Sequence, residues 1–303
     1  MNQRYFSLSE YFNNNYKDKV YKLSINAGFT CPNREGDNRG CLFCSDFGSG
    51  EFGGSVEKTI SKQIEEQKEF LKKRKKTNKF IAYFQSFTNT YAPVEKLRRL
   101  YYEALNCEDI VGIAIATRPD CLSEDVLDLL SEINKKYFLW VELGFQTSSE
   151  KTAKIIRRGY NNDVFLNAVN SLNERNIKVV SHVIFGLPFE KKQDNINTIK
   201  YIKDLGLWGL KIHSLFIYED SDLKNYYIEN KFPLLEKEEY INIVCDALEI
   251  LPEDLVIHRL TRDGEKSRMI YPEWSKDKLS VIGGIQKELK KRDSYQGKNY
   301  IKN

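Results

Sequence analysis

Val20-Tyr-Lys-Leu-Ser-Ile25 runs into Phe29-Thr-Cys31-Pro-Asn-Arg-Glu-Gly-Asp-Asn-Arg-Gly-Cys41-Leu-Phe-Cys44, and these two stretches decide the fold. In the first, apolar and polar residues alternate with the period of a β-strand. In the second, the spacing C-x9-C-x2-C brings three thiols into one glycine-dotted loop. Three is an unusual number for a structural metal, because tetrahedral zinc closes with four protein ligands. An iron–sulfur cube held by four cysteines is complete in the same sense. A cube held by three leaves one iron open, and an open iron is a place for chemistry. The same residues also read as a zinc knuckle with a distant fourth ligand.

Outward from that loop, strand-like and helix-like segments alternate. A helical pattern over 56–76 precedes a strand at 80–85 and a helix at 94–105. Further pairs follow at 110–117 with 123–134, and at 138–145 with helical segments near 150–156 and 164–174. A strand at 177–185 with a helix at 195–204, and a strand at 209–217, end the series. Six strands in this alternation imply a parallel sheet, since parallel neighbours need crossover helices. Six units are too few for a closed eight-unit barrel and enough for a curled, partly open one. The fold class is therefore α/β, a partial (β/α)6 TIM-like barrel whose functional loops follow the C-terminal strand ends. The cysteine loop falls on that face. From about Pro233 the pattern changes to a helix near 236–250, a strand at 255–260 and a helix near 278–292. The expected division is an N-terminal extension (1–19), the barrel (20–232) and a C-terminal extension packed on it (233–303).

The 303 residues, 41% of them hydrophobic, suffice for one large barrel. No apolar run approaches the roughly 18 residues needed to span a bilayer. The first residues lack a basic and then apolar leader, which predicts a cytosolic protein in which cysteines serve metal or redox chemistry. Net charge is +4. Basic residues cluster at Lys72, Lys73, Arg74, Lys75 and Lys76, and again at Lys287, Lys290, Lys291, Arg292, Lys298 and Lys302, the latter near Tyr295 and Tyr300. Such clusters either track a phosphate backbone or solvate a helix end.

Cys41-Leu-Phe-Cys44 carries an aromatic before its last cysteine, and on this loop the chain resembles the radical S-adenosylmethionine superfamily. The nine-residue first interval is similar to the branch containing the elongator catalytic subunit and small bacterial proteins acting on wobble uridines of tRNA. The resemblance implies a [4Fe–4S] cluster on Cys31, Cys41 and Cys44, with S-adenosylmethionine chelating the open iron. It further implies a 5′-deoxyadenosyl radical, an electron donor such as flavodoxin or ferredoxin, and a tRNA partner. Phe84-Gln85-Ser-Phe-Thr-Asn89, after the second strand, stands where relatives bind the methionine amine, which points to Gln85 and Asn89. Val141-Glu142-Leu-Gly144-Phe-Gln146-Thr147, followed twelve residues after Gln146 by Arg158, resembles a Gly-x-Gln-Ser…Arg pattern. It assigns Glu142, Gly144 and Gln146 to the cofactor and Arg158 to its carboxylate. Gly186, closing the fifth strand, matches the adenine-side turn.

Alternation on the sixth strand points Lys211 and His213 into the barrel mouth. Val256-Ile-His258-Arg259-Leu-Thr-Arg-Asp263 resembles a segment of the same bacterial group, as do Pro272-Glu-Trp274 and Gln296-Gly297. Lys211, His213, His258, Arg259 and Asp263 are thus the candidates for binding a substrate carboxylate or moving protons. Gly48-Ser-Gly50-Glu-Phe-Gly53 matches G-x-G-x-x-G but does not link a strand to a helix, so a dinucleotide fold is not indicated. Cys107, Cys121 and Cys245 read as small buried hydrophobes, with Cys121 alone placed near a strand end, and His182 as an interior histidine. The expected activity is removal of the carboxymethyl group from 5-carboxymethylaminomethyluridine. The rivals are a radical oxidase of a tetrapyrrole or other small molecule and a non-catalytic zinc or iron–sulfur RNA-binding protein.

Overall fold

The computed structural model describes residues 3–46, 48, 53–73, 77–261 and 264–302. Asp263, the basic residues Arg74, Lys75 and Lys76, and 49–52 of the glycine-rich stretch lie outside the described residues.

Seven parallel strands form a curled half-barrel, which is the expected partial α/β barrel. They are β1 (Tyr21–Ile25), β2 (Phe80–Phe84), β3 (Ile110–Thr117), β4 (Phe138–Gln146), β5 (Lys178–Phe185), β6 (Gly209–Ser214) and β8 (Val256–Arg259). The seventh strand was not among the six barrel units. It comes from the tail and pairs beside β6, Gly209 with Val256 and Leu210 with Ile257. Helices α2 (Ile60–Lys72), α3 (Val94–Leu105), α4 (Glu124–Asn134), α5 (Glu150–Ile155), α6 (Asn162–Glu174) and α7 (Lys192–Ile202) provide the crossovers. Between β6 and β8 lie β7 (Ile217–Tyr218), α8 (Asp222–Asn230) and α9 (Lys237–Glu249). Then β9 (Met269–Tyr271) pairs antiparallel with β7, and α10 (Lys278–Lys291) follows. The predicted sixth strand is therefore two elements, because the chain leaves the sheet after Ser214 to start the β7–β9 ribbon.

Strand alternation sorts the core. Leu23, Phe84, Ile115, Val141, Phe185 and Ile212 face the helices in one large buried cluster. Ile81, Tyr83, Ala114, Trp140 and Val180 face the barrel interior with Phe12. Both faces are covered, so β2 is buried at every position and reads as an uninterrupted apolar run.

Helix α1 (Leu8–Tyr16), capped by the Ser7 hydroxyl on the Glu10 amide (3.2 Å), plugs the N-terminal end of the barrel. Phe12 is 2% exposed, and the Tyr11 ring lies 5.0 Å from Trp208, just before β6. Gln296 ties both chain ends to the sheet: its oxygen accepts from the Phe6 amide at 3.0 Å and its nitrogen donates to the Leu255 carbonyl at 2.8 Å. On the outer face α9 and α10 approach closely because Gly284 has no side chain; a Cβ there would lie 2.4 Å from Ile241 Cδ1.

The described residues Lys72 and Arg292 of the two basic clusters lie away from the cysteine loop. Helix α2 runs back to the start of β2, so Lys72 sits at the N-terminal strand ends, 3.1 Å from Asp109. In the second cluster Arg292 clamps α10 to α9 through Asp246 and Asn242, both at 2.6 Å. Among the described residues no helix is long and apolar enough to cross a membrane.

Candidate active site

The loop after β1 is pinned from several sides. A short 3₁₀ turn, Pro32–Arg34, begins directly after Cys31, and the Cys44 amide donates to the Cys41 carbonyl at 3.1 Å. The Leu42 amide donates to the Ile156 carbonyl (3.0 Å), and Leu42 and Phe43 are buried with Ile156, Ile184 and Leu215. The Asn33 amide bridges Cys41 Sγ (3.3 Å) and the Arg157 carbonyl (2.7 Å). Gly40 takes φ +81°, and a Cβ there would press within 3.0 Å of the Arg34 side chain.

Anchored in this way, Cys41, Cys44 and Cys31 line one cleft at the C-terminal strand ends. Contact with Cys44, then burial, pushes the Cys41 thiol well above its usual value, with the charge of Cys31 adding to the effect. Three crowded thiols oppose one another's ionisation until a cation shares the charge. Among the described residues no three His, Cys, Asp or Glu side chains are gathered so as to hold a metal ion. A cube needs less convergence than a single ion, since it spreads its thiolates over separate irons.

The floor of the cleft is a buried ionic network. Glu142 on β4 accepts hydrogen bonds from the Tyr83 hydroxyl (2.7 Å), His182 Nε2 (2.8 Å), Trp140 Nε1 (2.9 Å) and the Lys211 ammonium. Burial alone would raise the Glu142 carboxyl, but Lys211 and His182 outweigh it and hold the group well below the usual carboxylate range. Burial, with Glu142 adding, pushes the Tyr83 phenol well up, so it remains a donor. Register explains part of the gathering, since Gly144, His182, Lys211 and Arg259 pair across four neighbouring strands.

Of the residues singled out from sequence, Gln85, Glu142, Gly144, Gln146, Lys211, His213 and Arg259 share this cleft with the cysteines. Gly144 leaves room for the Gln146 amide, which a Cβ would meet at 2.4 Å. Gln146 itself sits at φ +63° beside a shift in the β4–β5 register. Such strain in a non-glycine residue persists only where the surroundings over-determine it.

Four others are placed elsewhere. Arg158 is 1% exposed and spends its donors on the bend after β4, on the Phe145 (3.0 Å), Thr147 (2.9 Å) and Tyr160 (2.8 Å) carbonyls. Asn89 is buried and ties its loop to the Ala116 carbonyl at 2.8 Å. Gly186 faces a separate crevice where Leu235 would meet its Cβ at 3.0 Å. His258 points inward but one layer too deep, its ring 4.9 Å from Trp208 and 5.7 Å from Trp140. Cys121 is not among the cleft-lining residues, and its Sγ lies 3.7 Å from Asp120.

Sequence reading passed over several cleft residues. Arg118 lines the cleft, forked onto Asp120 at 2.9 and 2.6 Å, with its guanidinium 4.9 Å from the Tyr160 ring centre. Tyr83 and His182 also line it. A signal for Tyr83 was available, because Gln85, just past the end of β2, lies two residues on and so shares its face. His182, read as an interior histidine, is 22% exposed at the side chain and opens on the cleft.

Residues 30–202 match the radical SAM superfamily, and residues 207–291 match the Radical_SAM C-terminal domain. The protein YtqA of Bacillus subtilis (strain 168) is 43% identical over 298 residues, which is 98% of this chain and 92% of that protein. A tRNA uridine(34) acetyltransferase of Methanocaldococcus infernus is 26% identical over 156 residues, 50% of this chain and 29% of that protein. Among solved structures, the archaeal M. infernus Elp3 with an N-terminal deletion has a TM-score of 0.67 at 18% identity. The likeness covers 91% of this chain and 64% of that one, and bears on the fold alone. The superfamily uses a [4Fe–4S] cluster and S-adenosylmethionine, and three soft thiolate donors on an otherwise open cleft suit that cluster. By fold, by cysteine loop and by sequence across nearly its whole length, this chain belongs to the radical SAM superfamily.

Proposed function

We propose that the chain is a tRNA-modifying radical enzyme that removes the carboxymethyl group of 5-carboxymethylaminomethyluridine at the wobble position, leaving 5-aminomethyluridine. Cys31, Cys41 and Cys44 would hold the cluster, with Gln85, Gly144 and Gln146 beside the S-adenosylmethionine. When bound, these cofactors supply a 5′-deoxyadenosyl radical. The chain's residues do the rest. The buried walls exclude water, and Gln146, braced by the Tyr160 hydroxyl at 3.2 Å, orients what lies over Gly144. The Arg259 guanidinium offers a planar fork to the substrate carboxylate. A reductant of the flavodoxin or ferredoxin kind would deliver the electron.

The observation that carries this reading is the sharing of one cleft by three thiols and a floor of charged side chains. The tRNA substrate is supported by the relative whose name places it at tRNA uridine 34. The test is anaerobic reconstitution followed by nucleoside mass spectrometry. About four irons per chain, lost when the three cysteines become alanine, are expected. Wobble nucleosides from a strain lacking the gene should retain the carboxymethyl group. Unchanged nucleosides there, or binding of bulk tRNA that does not weaken with salt, would exclude the tRNA substrate.

A further inference from the structure

The floor of the cleft holds a carboxylate–histidine pair in an informative orientation. Glu142 Oε2 lies 2.8 Å from His182 Nε2. An ionised carboxylate only accepts, so Nε2 must carry the proton, and in the neutral ring Nδ1 carries the lone pair. With Nε2 committed and the side chain 22% exposed to the cleft, Nδ1 is the nitrogen left for a ligand. The carboxylate cannot swing away, because Tyr83, Trp140 and Lys211 hold its remaining lone pairs.

Resting on the function proposed above, we propose that His182 is the proton acceptor of the cleft: its Nδ1 takes a proton from the protonated secondary amine of the substrate, while Glu142 positions the ring. In this step the ammonium N–H bond breaks and an Nδ1–H bond forms. The electron pair stays on the substrate nitrogen and the positive charge moves to the imidazole, so no oxidant or reductant is needed. The freed lone pair can then stabilise an electron-deficient or radical centre on the adjacent carbon, which an ammonium cannot do. Glu142 stabilises the imidazolium that forms, as the third member of any nucleophile–base–orienter set does.

Arg118, Arg259, Tyr83 and Lys211 are unsuited to the task. An arginine does not give up its proton, which removes Arg118 and Arg259. Tyr83 and Lys211 already donate to Glu142, and Lys211 also donates to the Tyr83 hydroxyl at 3.0 Å. The charged and titratable groups around the His182–Glu142 pair are Lys211 and His213 from β6, Arg259 and His258 from β8, Tyr83 from β2 and Lys22 from β1. Burial first, then the Lys211 ammonium, lowers the imidazole from 6.5 to about 4, and the hydrogen bond to the Glu142 carboxylate works against that lowering, so the ring rests neutral at neutral pH.

Two measurements test the assignment. The chain has 3 histidines, so ¹⁵N-histidine labelling of the full-length apoprotein, assigned with His182→Gln, reads the tautomer directly at pH 7. A neutral Nε2–H ring is expected; a protonated Nδ1 would overturn the proposal without reference to activity. In reconstituted enzyme, His182→Gln is assayed for 5′-deoxyadenosine release without RNA and, separately, for tRNA conversion. It should convert carboxymethylaminomethyl-bearing tRNA about a hundredfold or more slowly. Conversion within threefold of wild type would refute His182 as the base. Parallel loss of 5′-deoxyadenosine release would make it a cofactor or folding residue and refute it equally. Failure of the wild type to convert this tRNA would instead overturn the functional reading on which the proposal rests.

Discussion

Replacing Glu142 by glutamine preserves shape and removes one buried charge, and the structure sets the size of the effect. The carboxylate is 1% exposed and receives four donors, at 2.7 Å from Tyr83, 2.8 Å from His182, 2.9 Å from Trp140 and from the Lys211 ammonium. A glutamine amide turns one acceptor into a donor, so one of those donors loses its partner. The Lys211 ammonium, 2% exposed, loses its counter-charge while Lys22 and Arg259 still repel it. Breaking a buried pair from one side costs about 3–5 kcal/mol. Glu142→Gln should therefore lower the stability of the apoprotein by about that amount in urea unfolding followed by tryptophan fluorescence. The double variant Glu142→Gln/Lys211→Met removes both charges and should be more stable than the sum of the single changes by about 2 kcal/mol or more. A single-variant cost below about 1 kcal/mol, or additivity within about 0.5 kcal/mol, would refute the ionised network.

Burial raises Glu190 from 4.5 to about 7, so the folded chain binds this proton more tightly than the unfolded chain. The resulting stabilisation, about 3 kcal/mol, is complete below pH 4.5 and lost as pH rises through 7; Glu190→Gln should flatten that fall in melting temperature between pH 5 and 8, and an unaltered slope would count against it. Phe12→Ala opens a cavity beneath Trp140 and should cost about 3–5 kcal/mol in the same unfolding assay. Gln296→Ala removes the bonds to Phe6 and Leu255 and should cost about 1–3 kcal/mol. Amide exchange should then rise at 3–7 and at the chain end before it rises in the barrel, and protection unchanged at both ends would contradict the staple.

Legibility tracked how local each signal was. The alternation of periods marked β2 to β6 and their crossover helices, because each face repeats within a few residues. It missed α8 and β9, which at nine and three residues hold too few periods to read. Spacing after the β4 end favoured Arg158 for a ligand carboxylate, yet the bend at Gln146 (φ +63°) and Arg157 (φ +55°) turns that guanidinium onto backbone carbonyls. Arg118, after β3, faces the cleft instead. Sequence reading took His182 for an interior histidine and singled out His258 for chemistry. One is level with Gly144 and Lys211 in the register, and the other lies a layer deeper against Trp208.

By itself, the amino-acid order determined a parallel α/β half-barrel and a three-thiol loop after its first strand, since periodicity and close spacing are properties of neighbouring residues. Only the tertiary structure decided that Glu142 meets Lys211, 69 positions later, and Tyr83, 59 positions earlier. Those meetings depend on strand register and on the curl of the sheet, which are set by the packing of the whole barrel.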